Sequence, residues 1–163
     1  MKPLNLILPF ALILSCGPLA RAYAVEKPVS KQDIFQKFET DMQGVRFSGF
    51  FTIDGSDLPA TKETYEVHRV QKLGEEDLWV FTARIKYGKQ DITLPIPLPV
   101  KWVGHVPVIA MENLPIPGLG TFSAHVVING NKYAGTWAHG KLGGHLYGTI
   151  RKIDHRPEQS ENE

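Results

Sequence analysis

The sequence contains one cysteine, Cys16, among 163 residues, which excludes a disulfide framework and a cysteine-based zinc site. It has no surplus of either charge, with 18 Lys and Arg against 17 Asp and Glu. A protein that tracks nucleic-acid phosphates draws its affinity from concentrated cations, so nucleic acid is not an expected partner. No apolar run reaches the roughly 20 residues that span a bilayer as a helix. A P-loop, a dinucleotide fingerprint and a Gly-x-Ser-x-Gly nucleophile elbow are all missing. Gly118-Leu119-Gly120 leads into a strand, whereas phosphate cradling needs the start of a helix. No cofactor is expected, and the reading leans away from an enzyme.

What is present begins with a leader. Lys2 precedes an apolar stretch over residues 4–14, Pro18 breaks it, and Ala22-Tyr23-Ala24 offers the small-x-small pattern of a signal peptidase site. Residues 1–24 therefore read as a signal peptide, and the protein as secreted or periplasmic. A second processing route competes with that one. Ile13-Leu14-Ser15-Cys16 resembles the lipobox of bacterial lipoproteins, which would lipidate Cys16 and anchor the protein in the cell envelope. Membrane association is expected only by that route. Cleavage after Ala24 removes Lys2 and Arg21, so 16 basic residues face 17 acids and no cysteine remains. Thiol and iron–sulfur chemistry are then closed to the mature chain.

Residues 25–154 read as a single β-rich domain, and the polar residues 155–163 as a disordered tail. A helix is expected over about residues 31–43. Ser30 and Asp33 have capping-box spacing, Ile34, Phe35, Phe38 and Met42 recur on one face, and Gly44 can end it. Docking of that helix on a sheet face is preferred to a plug at a barrel end.

From Val45 the apolar period changes to two, the spacing of half-buried strands. Trp79, Phe81, Ala83 and Ile85 share one face, and Val80, Thr82 and Arg84 the other. About eight strands joined by short loops, without helical crossovers, predict an all-β, mainly antiparallel fold, barrel-like or strongly curved. In Leu94–Val100 the prolines at 95, 97 and 99 have one parity, so their missing N–H groups face one edge. That edge cannot pair, and a barrel should have a gap beside this strand. Leu114-Pro115-Ile116-Pro117 repeats residues 94–97, too briefly to make an internal repeat.

The last hairpin, residues 133–150, is richest in possible chemistry. Tyr133, Gly135, Trp137 and His139 share one face; His145, Tyr147 and Thr149 share another on the returning strand. Glycines 135, 140, 143, 144 and 148 thin the side-chain layer, marking tight barrel corners or a cavity walled by Trp137 and Tyr147. Candidate ligand-binding residues are Trp79, Tyr133, Trp137, His139, His145 and Tyr147. His139 and His145 are weak metal candidates, because no third ligand stands at a recognisable spacing. His125 is expected to face away from the core. The acids around the first hairpin, Asp54, Asp57, Glu63 and Glu66, read as solvated loop charge.

The length, N-terminal helix and strand count are similar to the calycin-type barrels, which bind small hydrophobic molecules. Gly135-Thr136-Trp137 matches the Gly-x-Trp of lipocalins, although there the motif lies on the first strand and here on the seventh. Architecture alone does not assign function. The expected function is that of an exported, non-catalytic β-domain binding a small apolar or aromatic molecule. The alternative is an envelope structural or protein-interaction module, lipid-anchored if Cys16 is used. A histidine-dependent metal site or enzyme comes third.

Overall fold

A computed structural model describes residues 29–74, 76–87 and 90–154. The signal-peptide and lipobox readings, with Cys16, and the expected tail lie outside the described residues. The chain forms one helix, α1 (Lys31–Asp41), and eight strands. These are β1 (Val45–Phe51), β2 (Thr61–Lys72), β3 (Leu78–Tyr87), β4 (Gln90–Val103), β5 (Val106–Ile116), β6 (Gly120–Asn129), β7 (Lys132–His139) and β8 (Leu142–Lys152). Each strand pairs antiparallel with the next, and β8 returns to β1, closing the barrel. Closure satisfies backbone groups that an open sheet would leave at its edges. Among the described residues, three hairpins turn on two residues, the first being Gly104, Gly130 or Gly140 with φ near +60°. A positive φ at that position is what glycine supplies most readily.

Alternation places the core inside the barrel. Val45 and Phe47 on β1, Trp79, Phe81 and Ala83 on β3, and Ile96 and Val100 on β4 are all buried. The outer face carries ion pairs instead, including Arg46 with Glu66 at 2.8 Å and Arg84 with Asp91 at 2.7 Å.

Helix α1 closes one end of the barrel rather than docking on a sheet face. Its Phe38 enters among the inward-facing Trp79, Phe81 and Trp102, with ring centroids 5.1, 6.2 and 5.4 Å away. Phe35 adds an edge contact to Trp79 at 5.4 Å. The Ser30 hydroxyl and the Asp33 carboxylate form the reciprocal capping box that starts the helix. At the other end, Lys152 Nζ on β8 donates to the carbonyls of Thr40, Asp41 and Gln43 at 3.0, 3.1 and 2.8 Å. A cation there meets carbonyls at the helix C-terminus and the negative end of the helix dipole. The helix is held there by aromatic packing, with Phe35 and Phe38 set against the inward-facing Trp79 and Trp102. Trp79 and Trp102 keep their indole N–H groups buried with no acceptor among the described residues, at a cost of about 1–3 kcal/mol each.

The proline strand leaves the gap that its parity predicts. β4 pairs with β3 along residues 90–99, and Val100 N–H donates toward that side, to Asp77 O at 2.7 Å. Even-numbered residues thus serve β3, and Pro95, Pro97 and Pro99 face β5 with no N–H to give. Among the described residues, β4 and β5 pair only from Val100–Val103 to Val106–Ile109. Beyond that short ladder no β4–β5 pair is formed among the described residues. The two Leu-Pro-Ile-Pro segments, residues 94–97 and 114–117, lie in β4 and at the end of β5, with Pro117 in the turn that follows.

Candidate functional site

The barrel interior between the helix plug and the opposite end is not filled by its own side chains. A cavity of about 240 Å³ remains, larger than the ~150 Å³ apolar cavity that admits benzene. Its lining is almost wholly apolar. Ile96 and Leu98 of β4 and Ile109, Met111 and Ile116 of β5 belong to it, so the cavity lies behind the gap between those strands.

The one charged side chain of the lining, among the described residues, is Glu63. It sits on β2 with only 9% of its surface exposed, among inward-facing residues. Tyr65, two residues along the same face, donates its hydroxyl to Glu63 Oε2 at 2.8 Å. Tyr133 donates to Glu63 Oε1 at 2.9 Å, although it lies three strands away on β7. The ladders explain that reach. Tyr133 is paired with Gly148, Gly148 with Gly49, and Gly49 with Glu63, so the four residues form one row across β7, β8, β1 and β2. The two glycines between the ends of the row leave a berth for the tyrosine ring. A Cβ on Gly148 would stand 2.8 Å from Tyr133 Cε1, and one on Gly49 would stand 2.6 Å from its hydroxyl.

Burial raises the Glu63 pKa above the ordinary carboxylate value, and the hydrogen bonds from Tyr65 and Tyr133 oppose that rise. The Tyr133 phenol is raised as well, first by burial and then by the neighbouring Glu63 charge, to which it stays bonded as a donor. The cluster is therefore a carboxyl group with two committed phenolic donors at the wall of an apolar space.

The sequence candidates are scattered by this geometry. Tyr133 and Trp137 line the cavity. Trp137 is fixed by its indole N–H donating to Thr52 O at 3.1 Å and by an edge contact to Phe51 at 5.6 Å. Trp79 is fully buried but belongs to the helix plug. Tyr147 cannot wall the cavity, because Leu146 and Ile150 occupy the inward parity of β8 and Tyr147 points outward, 47% exposed. His139 stacks on Phe122 at 4.2 Å and lies over Gly120, whereas His145 is exposed on the outer face. The two histidines thus face opposite sides of the wall. His125 is outside too, with Nε2 3.0 Å from Glu112. Among the described residues, no three His, Cys, Asp or Glu side chains gather to hold a metal ion.

Glu63 and Tyr65 were not among the candidates, and Glu63 is not solvated loop charge. The available signal was parity, since Glu63 alternates with Tyr65 and Val67, an apolar face. Glu66, of opposite parity, is indeed outside and paired with Arg46.

On the outer surface, Phe50, Tyr147, Ala134, Val127 and Val108 pair successively across β1, β8, β7, β6 and β5. They make an apolar row in which Phe50, Tyr147 and Val127 are exposed. No family model, curated protein or solved structure matches the chain.

Proposed function

We propose that the protein is an exported, non-catalytic barrel that takes one small apolar or aromatic molecule into its lumen. The observation that carries this reading is the unfilled apolar cavity behind the unpaired stretch of β4 and β5. Proteins pack their interiors densely, and an apolar void of this size is costly unless something occupies it. Entry between β4 and β5 breaks no backbone hydrogen bond, because the prolines offer none there. Export rests on the leader pattern in residues 1–24.

Titration with the neutral fluorophore N-phenyl-1-naphthylamine tests the reading. Wild-type protein should enhance its fluorescence with one-to-one stoichiometry. Ala83→Phe and Ala124→Phe, which fill the cavity from two strands, should each weaken binding roughly tenfold or more while the circular dichroism of the barrel is kept. Failure of the wild-type protein to bind overturns it.

A second reading, an envelope protein-interaction module, is favoured by the outer row of Phe50, Tyr147 and Val127. Exposed apolar patches of that kind mark contact surfaces. It gains if the fluorophore is not bound and the protein self-associates in a manner abolished by Tyr147→Lys.

A further inference from the structure

We propose that Glu63, Tyr65 and Tyr133 select the head of the bound molecule: the lumen takes an apolar compound ending in a hydroxyl or an amine, and rejects the matching carboxylic acid. This rests on the lumen being a ligand cavity.

The argument is one of donors and acceptors. Tyr133 spends its only proton on Glu63 Oε1, and Tyr65 spends its own on Oε2. A carboxylate has about four acceptor positions, so roughly two remain after both phenols are bonded. What the cluster offers an incoming head is therefore acceptor capacity. A hydroxyl or an amine supplies the missing donor, and a protonated amine supplies a counter-charge as well. The neighbouring indole is no help to an acceptor head, since Trp137 N–H is already bonded to Thr52 O.

Charge points the same way. The described lining contains the Glu63 carboxyl and no Lys, Arg or His. A second carboxylate in this space would meet like charge in a medium that screens poorly, with no cation to offset it. Such a ligand would have to take up a proton or leave its head outside the cavity. Ser123, the remaining hydroxyl of the lining, keeps its own proton, but it accepts the Asn113 backbone N–H at 2.9 Å in an exposed bond on β6, toward the surface rather than at the Glu63 cluster.

Competition against bound N-phenyl-1-naphthylamine tests this with 1-octanol, octylamine, octanoic acid and methyl octanoate at pH 7. The alcohol and the amine should displace the fluorophore at concentrations roughly tenfold or more below those of the acid, with the acceptor-only ester between them. Glu63→Gln, which replaces one acceptor oxygen by a donor, should close that gap by improving the acid. Equal displacement by octanol and octanoate on the wild-type protein overturns the selection while leaving the ligand cavity standing. Failure to bind the fluorophore overturns both. The wild-type comparison decides the matter even if Glu63→Gln does not fold.

Discussion

Where β7, β8 and β1 meet, the wall is built with glycine; where β4 faces β5, it is built with proline. A Cβ on Gly148 would strike the carbonyl of Ser48 on β1, one on Gly144 that of Thr52 just past β1, and one on Gly135 that of His125 on β6, so these backbones approach only because no side chain stands between them. On the other side, Pro95, Pro97 and Pro99 remove the very groups that would hold β4 to β5, and the ladder ends at Val100. Both residues are unusual inside strands, and they act in opposite directions. Glycine tightens one wall until Tyr133 can reach across it to Glu63. Proline loosens the other until only side chains separate the cavity from the surface. The polar head site thus lies on the rigid wall, and the proposed entry on the yielding one.

The largest break in this comparison should come from Gly148→Val. Its Cβ would meet Ser48 O, Gly49 Cα at 2.7 Å and Tyr133 Cε1 at 2.8 Å, and two of those three are backbone atoms. Backbone cannot yield as a flexible side chain does, so a loss of about 3 kcal/mol or more in urea unfolding is expected. A loss under about 1 kcal/mol would mean that the glycine seam is not what closes the barrel.

The proline side of the contrast was legible in the sequence and much of the glycine side was not. Parity of three prolines is a local property, and it predicted an unpaired edge without knowledge of the neighbouring strands. Alternation on β3 was equally local, and Trp79, Phe81 and Ala83 are all buried as one face. The berth of Tyr133, by contrast, depends on a register carried through four strands and on β8 pairing with β1, which no short pattern states. For β8 the sequence separated Tyr147 from Leu146 and Ile150 but did not say which set faces inward. On β2 a bulge between Val67 and Arg69 shifts the parity, so Val67 and Val70 are both buried and simple alternation is masked. Glu63 lies before the bulge, where its alternation with Tyr65 and Val67 is intact, but its charge resembles that of the nearby turn acids more than that of a core position.

A smaller effect should isolate Glu63 on the rigid wall. Its pKa is raised in the folded protein, so folding favours the protonated form. The stability it contributes is fully present below the ordinary value of 4.5 and is lost as pH rises through the folded value. Glu66 and Asp91, lowered by their bonds to Arg46 and Arg84, have the opposite dependence, but both proteins in a comparison share them. The Tm of Glu63→Gln relative to wild type should therefore rise between about pH 4 and about pH 7. A difference that is flat in pH would show that the carboxyl is not held in a desolvating site.

The least effect on stability is expected on the yielding wall. Pro97→Ala alters no inward-facing side chain, and the proline is exposed beside an edge with no hydrogen bond to lose. Its unfolded chain gains freedom, which lowers stability by only about 0.4–1 kcal/mol. The more telling consequence is structural, because the substitution returns an N–H to the open edge. In the triple variant with alanine at 95, 97 and 99, β4 regains donors along the whole gap. Those donors either extend the ladder to β5, slowing uptake of N-phenyl-1-naphthylamine in stopped-flow mixing, or pair with the edge of a second molecule, seen as dimers in sedimentation. If the triple variant remains monomeric and takes up the fluorophore at the wild-type rate, the missing N–H groups are not what holds the gap open. The bulge between Met111 and Leu114, where Asn113 adopts φ +47°, would then be the feature that turns β5 away from β4.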